Sequence, residues 1–227
     1  MGATRNAENR VSGDSVEWPQ LAGIPYVRWD KTTYQNRARH RTRTRTRRLS
    51  RSIASPSASS MTIFKGEQPM ELSDVLSEDR ILLNLTAKDK LDAIRQMAKL
   101  AVTVAGIRDE AELLRKILDR ESIQSTAVGS GVAIPHARTN VVQGIVVCLG
   151  VSPEGVDYYA ADGKPVHLIF FVAADEKSAR NYLILLSKIA RLAHDDKARN
   201  ALVQAKSSGE ILQTIEQHGT PSSGSGV

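Results

Sequence analysis

At 227 residues, 41% of them hydrophobic, the chain has apolar material for one sizeable core with an extension, or for two small domains. Its one cysteine, Cys148, excludes an internal disulfide and suits a reduced, cytoplasmic compartment, and no apolar run reaches the roughly 18 residues of a membrane-crossing helix. The formal charge of +6 is unevenly placed: residues 1–60 carry 12 Lys/Arg and 4 Asp/Glu, a net of +8, which leaves 19 basic and 21 acidic residues, a net of −2, for the rest.

Residues 1–60 show no sustained helical or strand period. The stretch from Arg37 to Arg51 reads RARHRTRTRTRRLSR and passes into SIASPSASS. Like charges at that density repel and the serines bury nothing, so residues 1–60 are expected to form a disordered Arg/Ser-rich extension. Three readings compete for it. The simplest is a solvated tail, or a stretch upstream of a true start at Met61. The second is a tether to nucleic acid or an acidic membrane through residues 37–51, because arginines neutralise phosphates without any fold. Trp18, Tyr26, Trp29 and Tyr34 all precede the basic run, which leaves little aromatic interleaving for base stacking. The third is an organellar transit peptide, which is Arg- and Ser-rich and poor in acids.

The composition changes at Met61, and after a linker over 61–70 one domain is expected over 71–218. Glu71–Leu76 reads as a turn of helix and Arg80–Leu85 (RILLNL) as a buried strand. Thr86 opens T-A-K-D, close to a capping box. Leu91, Ile94, Met97, Ala98, Ala101, Val102 and Ala105 follow at helical spacing, and Gly106 ends that helix. Asp109 caps a second helix with Leu113, Leu114, Ile117 and Leu118 on its inner face and Arg120 and Glu121 at its end.

Further on, Val141–Gly150 and Pro165–Ala174 read as apolar strands around a long turn region, Pro153–Pro165. Cys148 and His167, embedded in those strands, read as a core thiol and a paired structural histidine. Asp175 and Ser178 open a long helix whose expected stripe is Leu183, Leu186, Ile189, Ala190 and Ala193. A short helix follows from Asp195-Asp196 through Val203. The capping pattern Ser207-x-x-Glu210 then precedes Ile211, Leu212 and Ile215, and residues 219–227 form a flexible tail. Alternating strands and helices make the class α/β, a single sheet covered by helices on both faces.

The densest chemistry lies in Ser125–Thr139, STAVGSGVAIPHART. Gly129 and Gly131 bracket Ser130 and can take positive φ, so successive N–H groups can curl into an anion-binding nest. Val132, Ala133 and Ile134 make a short buried run, and Pro135 fixes the backbone before His136. A neutral imidazole is a good nucleophile and proton carrier near physiological pH. Arg120, at the end of the preceding helix, offers a fork that matches phosphate oxygens in two-point geometry. The hydroxyls of Ser125 and Thr126 serve either direct phosphate contact or local turn bonding. Together these groups suggest a phosphate carried on nitrogen. The histidines are scattered and one cysteine builds no metal set, so no cofactor is expected; without a Walker loop, ATP is not the expected donor.

The run LDRESIQSTAVGSGVAIPHAR resembles the active-site region of the enzyme IIA domain of the bacterial phosphoenolpyruvate-dependent phosphotransferase system. The nearest branch is the fructose/mannitol type, which includes the nitrogen-regulatory IIA proteins, and the resemblance runs from about Leu72 to Gln217. It implies a mixed, mainly parallel five-stranded sheet. It implies that His136 is phosphorylated by phospho-HPr, that Arg120 is its partner arginine, and that Ser125, Thr126, Gly129 and Gly131 bind the phosphate. A IIB domain or a regulated target protein would follow as acceptor or partner, and a bacterial family argues against a transit peptide. Two positions depart from the family pattern. Ala127 stands where a glycine is usual. Tyr182, in Y-L-I-L-L-S, stands where the family has a second active-site histidine, and a tyrosine cannot carry a proton as imidazole does near pH 7. Arg138 is a secondary candidate facing a partner, and Val128, Val132 and Ile134 are the expected apolar ring around His136.

Overall fold

Two long strands and five helices carry most of residues 70–219, the part described by the computed structural model. The basic extension of residues 1–60 with its 37–51 run, the linker as far as residue 69, and residues 220–227 lie outside the described residues. In chain order the elements are β1 (Ile81–Leu82), α1 (Lys90–Ala105), α2 (Glu110–Ile123), β2 (Ala127–Gly129), β3 (Val132–Ala133), β4 (His136–Arg138), β5 (Ile145–Val156), β6 (Val166–Ala174), α3 (Ala179–His194), α4 (Asp196–Gln204) and α5 (Ser208–Gly219). Short 3₁₀ turns at Leu72–Asp74, Glu78–Arg80 and Glu176–Ser178 precede β1 and α3.

The strands form one mixed sheet in the order β1-β5-β6-β3-β2, with β4 also on β6. β1 runs parallel to β5, and β3 and β4 run parallel to β6. The longest pairing, β5 with β6, is antiparallel, as is β2 with β3. The sheet thus has six strands rather than five, because the stretch around His136 supplies three short ones. Alternation along the strands feeds two cores. Val147, Leu149, Phe170 and Val172 face α3, α4 and α5; Val146, Cys148, Phe171 and Ala173 face α1 and α2. Phe170 and Phe171 are buried on opposite faces, each contributing roughly 1.5–3 kcal/mol by removal from water. No helix among the described residues is long and apolar enough to cross a membrane.

Local chemistry moves several expected boundaries. The expected strand Arg80–Leu85 stops at Leu82, since Asn84 takes a left-handed φ of +56° and turns the chain. Thr86 does not cap α1: its hydroxyl bonds back to the Asn84 carbonyl, and Asp89, the acid expected inside the box, is the cap and accepts from the Asp92 N–H at 2.9 Å. Gly106, at φ +61°, and Asp109 end α1 and cap α2 as expected. In α3 the buried face is Tyr182, Leu185, Ile189, Leu192 and Ala193, and Leu183, expected in the stripe, is 64% exposed.

The region expected as a turn from Pro153 instead extends β5 to Val156 through a bulge. Val151 pairs with Leu168 and Val156 with Val166, so residues 152–155 all face His167. The His167 Nδ1–H donates to the Ser152 carbonyl at 2.9 Å, and a Cβ on Gly155 would sit 2.7 Å from Pro165 Cβ and 2.9 Å from His167 Cε1. His167 is therefore a structural, paired histidine. Gly155→Ala combines that overlap with φ +79° and should cost about 2–4 kcal/mol in urea unfolding, from overpacking plus left-handed strain. Gly163→Ala, at φ +69° in open space, should cost only the strain, about 1–2 kcal/mol. Equal losses at the two positions would contradict the bulge packing.

Candidate functional site

β3 and β4 lie end to end along one edge of β6, in one continuous register: Val132 faces Leu168, Ala133 faces Ile169, His136 faces Val172 and Arg138 faces Ala174. The break falls at Ile134–Pro135, where proline has no N–H for a ladder. The Pro135 carbonyl still accepts from the Val172 N–H at 2.9 Å, so the strand resumes without slipping. The Ile134 carbonyl turns back and accepts from His136 Nδ1 at 2.5 Å. A carbonyl only accepts, so Nδ1 carries the ring proton and Nε2 keeps its lone pair.

His136 stands at the carboxyl end of β6, where α3 begins, and is half-buried. Burial holds its imidazole below the ordinary histidine value; the Arg120 cation adds to the depression, and the Ile134 hydrogen bond and the Glu121 carboxylate oppose it. Tyr182, in the first turns of α3, places its ring centroid 6.2 Å from that of His136 at an angle of 59°. Tyr182 is 7% exposed, and burial pushes its phenol up to about 12, against the fields of Arg120 and Arg138. It is a neutral hydrogen-bonding group at pH 7 and carries no proton back and forth. Helix α2, packed against β4, brings Arg120 to the same place; one of its five donors is spent on the Gln124 carbonyl at 3.0 Å. His136, Arg120 and Tyr182 are thus brought together.

The hydroxyl–glycine loop divides into two parts. Thr126 lies against the segment that leads to the histidine, since its carbonyl accepts from the Ile134 N–H at 3.0 Å, and Ser125 precedes it. Ser125 Oγ accepts from the Ala127 N–H at 3.3 Å, a local turn bond that leaves its own proton to donate. Thr126 is buried and its hydroxyl donates to Glu121 at 2.5 Å, so that proton is already committed. Gly129 and Gly131, at φ +89° and +77°, form the turn of the β2–β3 hairpin. Gly131 lies level with His167 on β6, five residues from the level of His136, or roughly 16 Å along the strand. The expected nest at Gly129–Gly131 is therefore corrected: the turn is too far from His136 to cradle a group on its ring. The Ser130 N–H there donates to the chain's own Asp162 carboxylate at 2.9 Å. The expected apolar ring is corrected likewise. Val132 and Ile134 are core residues, while Val128 (45%), Ile123 (72%) and Leu183 (64%) are exposed.

Sequence reasoning missed the support beneath the site. Glu121 is 1% exposed, one residue after Arg120. It accepts from Lys90 Nζ at 2.8 Å and from the Thr126 N–H at 3.0 and 3.2 Å, besides the Thr126 hydroxyl. The buried Tyr158 hydroxyl lies 3.5 Å from Thr126 Oγ1, and Lys90 Nζ sits 5.2 Å from the Tyr158 ring centroid. Burying a carboxylate is costly unless its oxygens are met by donors, and here both oxygens are met. The one visible signal was an acid placed directly after Arg120 on a helix end.

The site's electrostatics give a measurable titration. The His136 midpoint should fall below 6.5 in an NMR titration, so that the ring is neutral at pH 7. Arg120→Gln should raise it, because the guanidinium field disfavours the imidazolium. A midpoint unmoved or lowered in the variant would place Arg120 away from the ring.

Residues 74–218 match the family model described as "Phosphoenolpyruvate-dependent sugar phosphotransferase system, EIIA 2". Among relatives, the fructose-specific EIIABC component of Bacillus subtilis is 36% identical over 149 residues, 66% of this chain; the match spans 24% of that longer protein. The mannitol-specific enzyme IIA component of Staphylococcus aureus is 35% identical over 150 residues, 64% of this chain and 98% of that one. Among solved structures, the nitrogen regulatory protein IIA-Ntr of Neisseria meningitidis superposes with a TM-score of 0.59 at 28% identity, over 63% of this chain and 97% of that one. The pattern of a histidine beside a proline-broken strand, faced by a helix-borne arginine, thus sits in a fold and a sequence with one family in common, and the chain belongs to the type 2 EIIA family of the phosphoenolpyruvate-dependent sugar phosphotransferase system.

Proposed function

We propose that residues 71–218 form a phosphocarrier domain that accepts a phosphoryl group from a phospho-HPr-type donor on Nε2 of His136 and passes it to a IIB-type acceptor. The observation that carries this reading is the Nδ1–H bond to the Ile134 carbonyl, which fixes the tautomer and leaves Nε2 as the nucleophile. In the transfer, the Nε2 lone pair forms the new P–N bond as the donor's P–N bond breaks, and the donor nitrogen leaves with that electron pair. The positive charge that then develops on the ring is met by the Ile134 carbonyl through Nδ1–H. Phosphoryl transfer asks mainly for positioning and for donors to the equatorial oxygens. Arg120 supplies four further N–H groups, Ser125 a hydroxyl and Tyr182 a neutral hydroxyl. Thr126 acts through Glu121 and the backbone as a positioning residue. Exposed Ile123, Val128 and Leu183 supply apolar contact for a protein partner. The compartment this implies is the cytoplasm.

One observation favours a regulatory variant of this reading. Tyr182 occupies the place of the family's second histidine with a group that stays neutral at pH 7, which suits a slow switch controlling a target protein better than rapid sugar flux. Both readings share the phosphohistidine.

The test is label transfer from phospho-HPr, scored as acid-labile, base-stable phosphate. His136→Ala should abolish it and His167→Ala should retain it, with the cost of the latter paid in stability. Arg120→Lys keeps the charge but loses the two-point fork, and should slow charging or shorten the phosphohistidine lifetime. Tyr182→His should leave charging intact and change its rate. Wild-type labelling of His136→Ala would overturn the carrier reading.

A further inference from the structure

We infer that Arg138 is a second phosphoryl ligand, parked on Glu176 until His136 is charged, and that its departure from Glu176 reports the state of the site to the surface at the start of α3. The inference rests on the reading of His136 as the phosphoryl acceptor.

Strand parity places the two side chains together. Residues two apart on a strand share a face, and along β4 the pattern is half-buried His136, buried Ala137, exposed Arg138. Their Cα atoms lie about 6.6 Å apart, well within the reach of an arginine side chain. Arg138 also lies close enough to Tyr182 for its charge to act on the phenol, and Tyr182 is itself the ring facing His136. The guanidinium is thus in the neighbourhood of the imidazole without being committed to it.

Its present partner is a weak one. Arg138 Nη1 meets Glu176 Oε2 at 3.0 Å, and both side chains are open to water, at 47% and 60% exposure. An exposed pair of this kind contributes little and is readily exchanged. A phosphoryl group on Nε2 brings about two negative charges and three acceptor oxygens, and it matches the guanidinium fork in two-point geometry where a single Nη–carboxylate contact does not. The stronger acceptor therefore takes the arginine. Arg120 does not play this part: it stands on α2 and, among the described residues, gives its Nη1–H to the Gln124 carbonyl rather than to a carboxylate.

Glu176 is what turns a local exchange into a surface signal. It lies in the 3₁₀ turn Glu176–Ser178 that leads into α3, the helix carrying Tyr182 and the exposed Leu183. With His136 uncharged, a neutralised Arg–Glu pair is displayed there. With His136 charged, the arginine turns inward and a free carboxylate is displayed in the turn that opens α3. A partner protein can distinguish the two faces by one unit of charge.

The test uses the ¹³C,¹⁵N-labelled full chain, charged with phosphoenolpyruvate, its phosphotransferase and HPr, as wild type, Arg138→Gln and Glu176→Gln. On charging, the Arg138 Nε–Hε resonance of the wild type should shift and the Glu176 side-chain carboxyl should move toward a free carboxylate. Arg138→Gln should shorten the phosphohistidine lifetime roughly three- to tenfold, the scale of one charge-assisted contact at an open site. Glu176→Gln, which removes the competing charge, should lengthen the lifetime or speed charging. Both variants should melt with the wild type, which a purely structural role would not allow to accompany a change in lifetime. A labelled wild type whose Arg138 resonance stays put, or a labelled Arg138→Gln with an unchanged lifetime, overturns this inference and leaves the carrier reading intact. A wild type that takes no label overturns both.

Discussion

Pro135 interrupts the edge of β6 without shifting its register, and the site depends on that interruption. Gly131 and Pro135 turn their carbonyls to β6, whereas Ile134 faces the other way and gives its N–H to the Thr126 carbonyl. β3 and β4 keep one register on β6 across a two-residue gap, and the Ile134 carbonyl, on the side away from β6, meets the imidazole. That contact sets the tautomer and the direction of the Nε2 lone pair, while half-burial depresses the ring's basicity. The antiparallel β5–β6 pairing holds β6 rigid underneath, with Phe170 and Phe171 pinned into the two cores.

A second constraint acts from below. The Glu121 carboxylate is almost fully buried and spends its oxygens on Lys90 and on the N–H and hydroxyl of Thr126. This ties three separate segments together: the first turn of α1, the last turns of α2, and Thr126 at the entry to β2, whose carbonyl holds the Ile134 N–H next to Pro135. Removing one partner of such a pair typically costs about 3–5 kcal/mol, because the other charge is left buried. The arrangement is therefore one in which Arg120, one residue before Glu121, cannot drift from the strand that carries His136. The electrostatics of the two residues oppose each other at the ring: Arg120 lowers the proton affinity of His136 and Glu121 raises it, with burial outweighing both.

Much of the fold was legible in the chain because its signals are local. Gly106 and Asp109 sit where a left-handed cap and an N-cap are needed, and the β-branched runs around Cys148 and Val172 could only be buried strands. The Pro-His pair with Arg120 before it pointed to the right three-dimensional neighbours, and Tyr182 faces His136 as its place in α3 implied. What could not be read depends on pairing between distant segments. The role of Gly129 and Gly131 turned on which part of β6 they lie against, and composition alone made a hairpin turn look like an anion nest. The bulge opposite His167 needs two strands of unequal length to be seen. The stripe of α3 was misread around Leu183 because Leu183 and Leu186 keep helical spacing as well as Tyr182 and Leu185 do; the sheet chooses between the faces. The Lys90–Glu121 pair joins residues on two helices, and no spacing rule announces it.

The measurement that bears most directly on this picture is the site of the phosphorus on the ring. Heteronuclear NMR of the charged, ¹⁵N-histidine-labelled chain resolves which imidazole nitrogen couples to ³¹P and which bears hydrogen. The phosphorus should couple to Nε2 of His136, with Nδ1 still protonated and held by the Ile134 carbonyl. Coupling to Nδ1, or to a nitrogen of any other histidine, would contradict it.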